Sequence, residues 1–327
     1  MKRDPSLLPP FTARHTTAMI EIREIEQDEL GRFVAVRNTV WPQDPFTVED
    51  FVDWKRQAED TVWLLATESG TDAGIGVGVH GWHSPPGVGR VGVHVLPVAR
   101  GHGAGSGLLA RLGTWFGEHG CTKATASVFE DDAASLAWAR RRGFSEVGRS
   151  SILALDLTTA DAPEVSPPEG VEIVAWAERP ELAGGIYEVY VEAAPDIPGE
   201  DELVIEPFED WLVNDMQGAS DRPDATFVAI ADGLVVGYAK LSISSGGGDV
   251  AWHDLTGVKR DWRGRGIAGA LKKTQIRWAM DNGFRCLKTM PELRNEPSRR
   301  LNERHGYVLQ PGFVTVKGPL ASERSTV

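Results

Sequence analysis

The 327-residue sequence predicts two α/β domains of one design in tandem, on three observations. Arg100–Phe144 aligns without a gap on Arg263–Tyr307 at a constant offset of 163 residues; apolar strand patterns alternate with helical ones in each half; and a proline-rich seam separates the halves. The paired identities run through the whole aligned segment: Arg100/Arg263, Gly101/Gly264, Gly103/Gly266, Leu108/Leu271, Trp115/Trp278, Gly120/Gly283, Ser135/Ser298 and Gly143/Gly306. A period this long exceeds any solenoid unit and marks a duplicated domain.

Residues 1–18 read as a flexible tail, broken by prolines before an apolar stretch can form. MIEIREI (19–25) alternates as a half-buried strand does, and a first domain runs from there to 158. Its elements are a helix at 49–57, the apolar strand TVWLLAT (61–67), glycine-punctuated strands ending in RVGVHVLP (90–97), and a helix at 107–120. TTADAPEVSPPEG (158–170) carries three prolines and no apolar period, so 159–170 is a linker. The second domain, 171–327, repeats the plan. VEIVAWA (171–177) is followed by helices at 182–192 and 208–216, strands at 226–232, 235–243 and 249–258, a helix at 267–282, and FVTVKGPL as a last strand.

A net charge of −13 argues against a nucleic-acid partner, which demands a basic stripe, and suits a cationic small molecule. Cys121 and Cys286 occupy non-equivalent places in the repeat and form no metal-ligand spacing or disulfide framework, and no segment has the length and apolarity of a membrane span. A cytoplasmic protein without a metal is expected. Nothing in the sequence fixes the oligomeric state.

The chemistry sits at the two strand-to-helix junctions, VLPVARGHGAGSGLL (95–109) and VKRDWRGRGIAGALK (258–272). Each sets an arginine three residues before Gly-x-Gly or Gly-x-Ala. Small residues at a helix N-terminus let successive N–H groups cradle an anion, aided by the helix dipole, and pyrophosphate is the natural occupant. A nucleotide-binding P-loop would end in Gly-Lys-Ser/Thr, which neither copy has, and Ser106 stands where a dinucleotide fingerprint needs its third glycine in the first copy.

The pattern Arg-x-x-Gly-x-Gly/Ala after a strand resembles the acetyl-CoA-binding signature of the GNAT N-acetyltransferase superfamily. NEPSRRLNERHGY (295–307) resembles the superfamily's second signature, and DAASLAWARRRGF (132–144) is its counterpart, with Asp132 where the second half has Asn295. The tandem arrangement is similar to that of actinobacterial two-domain acetyltransferases of mycothiol-synthase-like architecture. The resemblance implies two GNAT-like domains, each a mixed, mostly antiparallel twisted sheet flanked by helices with a splayed central strand pair. It implies acetyl-CoA as cosubstrate, a small-molecule amine as acceptor, and direct attack of that amine on the thioester.

Carried over residue by residue, the resemblance gives the amide of Val258 to the thioester carbonyl and those of Gly264, Arg265, Gly266 and Ala268 to pyrophosphate. Arg263 shapes the loop, and Lys272 and Asn295 are further cofactor contacts. The first-half equivalents are Val95, Arg100, Gly101, His102, Gly103 and Gly105. Many members place a tyrosine four residues before the final Gly-Phe as the acid for the leaving thiolate; this chain has Ala139 and Asn302 there. Either Asn302 hydrogen-bonds the sulfur or the thiolate leaves unassisted. A base is also needed, because an alkylammonium titrates near 10.4. His253 and Asp254 are the candidates on the second splayed strand, where the repeat puts Arg90 and Val91 in the first half; His94 matches Gly257. Catalysis is therefore expected in the second half, with the first binding acetyl-CoA without turnover and walling the acceptor pocket across the interface. The acidic stretch 190–211 is the expected acceptor region, with Asp196 and Glu200 as its ligands for a cation. Two alternatives stay open: an inactive CoA-binding or sensing module, and transfer of another acyl group or to another acceptor.

Overall fold

The computed structural model describes residues 19–42, 45–57, 60–81, 85–196, 205–290 and 296–320. Asn295 and Glu200 lie outside these. In the first half the chain forms β1 (Ile20–Glu24), α1 (Leu30–Val40), α2 (Val48–Gln57), β2 (Asp60–Glu68), β3 (Thr71–His80), β4 (Val88–Val95), α3 (Ala104–Glu118), β5 (Lys123–Phe129), α4 (Ala133–Arg140) and β6 (Ser145–Asp156). The second half forms β7 (Val171–Ala175), α5 (Ala183–Ala193), α6 (Phe208–Asp215), β8 (Asp221–Ala231), β9 (Leu234–Ile243), β10 (Val250–Val258), α7 (Ile267–Asp281), β11 (Cys286–Thr289), α8 (Glu296–Arg304) and β12 (Val308–Pro319).

Period-two burial explains the layers. In β2, Val62, Leu64 and Ala66 pack under α3 with Leu108, Leu112 and Phe116, while Trp63 and Leu65 face α1 and α2 with Phe33 and Phe51. The second half repeats this, with Ile267 and Leu271 of α7 over one face and Ile186, Val189 and Trp211 of α5 and α6 over the other. In both halves the glycine before the helix is left-handed, at φ 107° for Gly103 and 88° for Gly266, a conformation that costs an L side chain about 1–2 kcal/mol. The helices consequently begin at Ala104 and Ile267, the first three residues earlier than its apolar pattern suggests.

All twelve strands join one sheet, ordered β1-β2-β3-β4-β5-β12-β6-β11-β10-β9-β8-β7. The C-terminal strand is thus not lodged among its own half's strands. β12 lies between β5 and β6, with Phe313–Pro319 opposite Phe129–Lys123 on one side and Ser145–Ser150 on the other. Val314 and Val316 enter a core with Leu136, Ala139 and Phe144, whereas Leu153 and Leu155 of β6 pack with Leu241, Ile276 and Tyr307 of the second half. Each half therefore completes the other's core.

Candidate active site

β4 and β5 pair in parallel only from Val88/Lys123 to Arg90/Thr125, and β10 and β11 only from Val250/Cys286 to Trp252/Lys288; beyond these points both pairs diverge. The expected splay is present in both halves. Leu96 N donates to Ala73 O on β3, so strand alternation turns the N–H and C=O of Val95 toward the open side of the splay. Arg100 Nε closes on that Val95 carbonyl at 3.2 Å and ties the glycine turn to the strand end. The second half reproduces the arrangement, with Lys259 N on Val236 O and Arg263 Nε on Val258 O at 2.9 Å. Both arginines shape their loops.

The first-half turn opens onto a cavity of about 570 Å³ between β4, β5, α3 and α4. A Cβ placed on Gly101 or Gly103 would meet nothing within 4 Å, leaving a bare backbone concavity at the start of a fifteen-residue helix. Arg142 reaches back to donate to Ser106 Oγ at 2.5 Å, its guanidinium 3.9 Å from the Trp138 ring centre, and Arg100 and Arg141 line the same cavity. An N-terminal helix dipole, free backbone and three guanidinium groups fit a pyrophosphate-bearing ligand. Arg141 and Arg142 were not singled out from the sequence; the run Arg140-Arg141-Arg142 following an amphipathic helix was the available signal. His102 Nδ1 lies 2.9 Å from Glu68, and Gly105 lies beneath Val95 and Trp138. Asp132 caps α4 through Ser135 N and Ser135 Oγ, and its carboxyl is held below the usual range by those hydrogen bonds and the Arg100 charge, which together outweigh the opposing burial.

A second cavity, about 700 Å³, lies between the halves on the opposite side of the sheet. Trp41, Val91, Gly92, His94 and Ser127 line both, so the two cavities meet across the splay. His94 stands at this junction. Its side chain is half-buried, desolvation and then the Arg37 charge push its pKa down to about 4, and neither ring nitrogen has a hydrogen-bond partner among the described residues. Trp41, Phe129 and Phe313 stack beside it, with centroids 4.2–5.4 Å apart.

The second-half candidates fall elsewhere. His253 is turned toward α7, 7% exposed, with Nδ1 3.0 Å from Gln275 Oε1 and Nε2 against the Tyr307 hydroxyl. Burial, followed by the Lys272 charge, drives its pKa well down. Both nitrogens are occupied inside the core, so the expected role as base does not fit this geometry. The cause is strand parity: Ala251 and His253 share the α7 face, whereas Trp252 and Asp254 face the inter-half cavity. Asp254 is held by Lys240 Nζ at 2.7 Å. Lys272, expected near phosphate, is instead 3% exposed, 5.5 Å from the Tyr307 ring centre, with burial lowering its pKa to about 7. Asn302 is buried with Nδ2 on Ser298 O, a helix-internal bond. Asp196 does not face an acceptor: Arg260 and Arg263 take its two oxygens at 2.9 and 2.7 Å. Arg265 lies over Trp262 and bonds Asp261 O; Gly264 and Gly266 keep positive φ, and Ala268 is half-buried in the first turn of α7. Among the described residues no cluster could hold a metal, both cysteines are free, and no helix is long and apolar enough to cross a membrane.

The acetyltransferase (GNAT) family matches residues 19–144 and 183–307, once in each half. The chain belongs to this family. Its fold is similar to that of a tandem GNAT protein from the clavulanic acid biosynthesis pathway, at TM-score 0.75 and 19% identity over 93% of this chain and all of that one. A GCN5-related N-acetyltransferase from Sphaerobacter thermophilus aligns at TM-score 0.65 and 22% identity, over 92% of this chain and 96% of its own. A putative acetyltransferase from Pyrococcus horikoshii aligns at TM-score 0.53 and 14% identity over 93% and 90%. No curated protein matches the sequence. The match falls once in each half, so the chain is built as a tandem member of an acetyltransferase family that uses acetyl-CoA.

Proposed function

We propose that the protein is an acetyl-CoA-dependent N-acetyltransferase acting on the primary amine of a small cationic molecule, and that transfer takes place in the first half. The observation that carries this is the meeting of the two cavities at His94. When bound, acetyl-CoA supplies the acetyl thioester. The amides of the Gly101–Gly105 turn, with Arg100 and Arg142, would hold its phosphates. Val95 N–H faces the splay, where a donor stabilises negative charge developing on a carbonyl oxygen. His94, neutral at pH 7, receives the proton of an amine arriving from the inter-half cavity. The aromatic group around Trp41 restricts water at the junction. Ala139 supplies no acid, and a thiolate with an ordinary pKa near 8.5 leaves without one.

That missing hydroxyl also favours a second reading, a module that binds CoA without turnover. Thiol release from acetyl-CoA by the full chain, with and without a panel of amines, separates the two. Amine-dependent release with an N-acetylated product by mass spectrometry supports transfer, and other acyl-CoAs in the same assay define the acyl group. Acetyl-CoA binding with no release from any amine would defeat the proposal.

A further inference from the structure

The inter-half cavity has walls of unlike chemistry. The first half supplies most of its aromatic and apolar side chains, among them Phe33, Phe46 and Trp54, together with Asp50 and Asp53; the second supplies Asp215, Asp221 and Asp254. Five aspartates line it against Arg37, Arg90 and Lys240, so the wall is net negative while His94 is neutral. Most of these carboxylates are engaged: Asp53 accepts Ala219 N at 2.6 Å, Asp50 accepts Thr47 N at 2.8 Å, and Lys240 takes both Asp221 and Asp254. Asp215 is different. Lys240 bonds only its backbone carbonyl, and its carboxylate accepts no hydrogen bond among the described residues. One further polar group addresses the same space without a hydrogen-bond partner among the described residues, His94 at the junction. The cavity therefore has a base without a hydrogen-bond partner among the described residues at its mouth toward the acetyl-CoA cleft, a carboxylate from the other half that accepts no hydrogen bond among them, and an aromatic wall.

From this geometry we infer that the inter-half cavity is an acceptor chamber shared by both halves, taking a small diamine whose reacting amine lies at His94 and whose second cationic group is received by Asp215. The inference rests on the transfer reaction proposed above. The amine nitrogen forms the amide bond as the thioester C–S bond breaks; the proton passes to His94 and then to solvent, and the sulfur leaves as CoA thiolate. The second cation takes no part in bond-making and sets specificity only. The groups around Asp215 agree with this. Asp215 is exposed to the solvent of the cavity, yet partial desolvation by the surrounding wall raises its pKa to about 6; Lys240 opposes the rise, and Asp254, Glu206 and Asp221 add to it, so a bound cation would relieve the neighbouring negative charge. Selectivity for the second cation is then present above about pH 6 and lost below it.

The test is thiol release by the full chain with linear α,ω-diamines of about three to eight carbons against n-alkylamines of the same lengths. Expected is at least a tenfold lower KM for diamines near pH 7.5. Asp215→Asn should raise the diamine KM to that of the matching monoamine and so erase that preference, with acetyl-CoA affinity unchanged, and Asp215→Glu should largely restore it. Equal KM values for monoamines and diamines, or an unchanged preference in Asp215→Asn, would overturn the shared chamber while leaving the transferase reading intact. Acetyl-CoA binding with no release from any amine would overturn both.

Discussion

Replacing Lys240 by methionine tests how the wall of the inter-half cavity is held. Lys240 is 5% exposed, with its Nζ 2.9 Å from Asp221 Oδ1, 2.7 Å from Asp254 Oδ2 and in contact with Asp215 O. Methionine keeps the aliphatic stem but removes the charge. Asp254, 45% exposed, can rehydrate, whereas the Asp221 side chain, 8% exposed, cannot. Breaking a buried pair by removing one partner costs about 3–5 kcal/mol, which at about 2 °C per kcal/mol for a chain of this size lowers Tm by about 6–10 °C near pH 7.5. The pH dependence carries the diagnosis. Burial already raises the Asp221 pKa despite Lys240, and removing the cation raises it further. A raised folded-state pKa contributes stability at low pH that is lost as pH rises through that pKa, so the deficit should shrink toward pH 5. Thermal and urea unfolding at both pH values, with Asp221→Asn in the Lys240→Met background as a rescue, provide the readout. A loss under about 1 kcal/mol, a pH-independent loss, or no rescue would show that Lys240 does not hold a buried Asp221 charge.

Three other outcomes are expected. His94→Ala should lower kcat by about 10²–10⁴, the range for a lost proton acceptor, whereas His253→Leu should leave kcat within about threefold and cost about 1–3 kcal/mol in urea unfolding, because Gln275 and Tyr307 lose their partner. Arg142→Ala should weaken acetyl-CoA binding by calorimetry about tenfold, more so at low salt, as expected for loss of a charge-assisted phosphate contact. Ending the chain at residue 307 removes β12 and should abolish acetyl-CoA binding, although Val316 is the one residue lining the first-half cleft that is lost from the sequence.

The duplication, the two glycine turns and their arginines were legible in the sequence because they depend on local geometry: a left-handed residue before a helix must be glycine in both copies, and Arg100 and Arg263 each close on the carbonyl five residues back. The partner of β12 was not. Its alternation specifies a strand with one buried face, and β5 and β6 satisfy that face as well as a neighbour from its own half would. The burial of His253 has a similar origin. His253 and Asp254 are adjacent, and adjacent strand residues face opposite sides of a sheet; the ladder is also irregular between His253 and Thr256. Alignment of the halves pairs His94 with Gly257 and so gives it no weight, because a repeat reveals what two copies share and not what one has kept for itself. The charge of Asp196 suits an acceptor ligand, but Arg260 and Arg263 are near enough to claim it.

The central claim, that transfer takes place in the first half, is tested most directly by comparing Gly103→Ala with Gly266→Ala in amine-dependent thiol release. Both glycines hold φ near 90–107°, so each substitution strains its own turn by a similar amount and withdraws the amides from its own cleft. The account predicts that Gly103→Ala abolishes turnover and weakens acetyl-CoA binding, while Gly266→Ala leaves kcat within about threefold. Turnover that survives Gly103→Ala and is lost in Gly266→Ala would place the reaction in the second half and contradict the account.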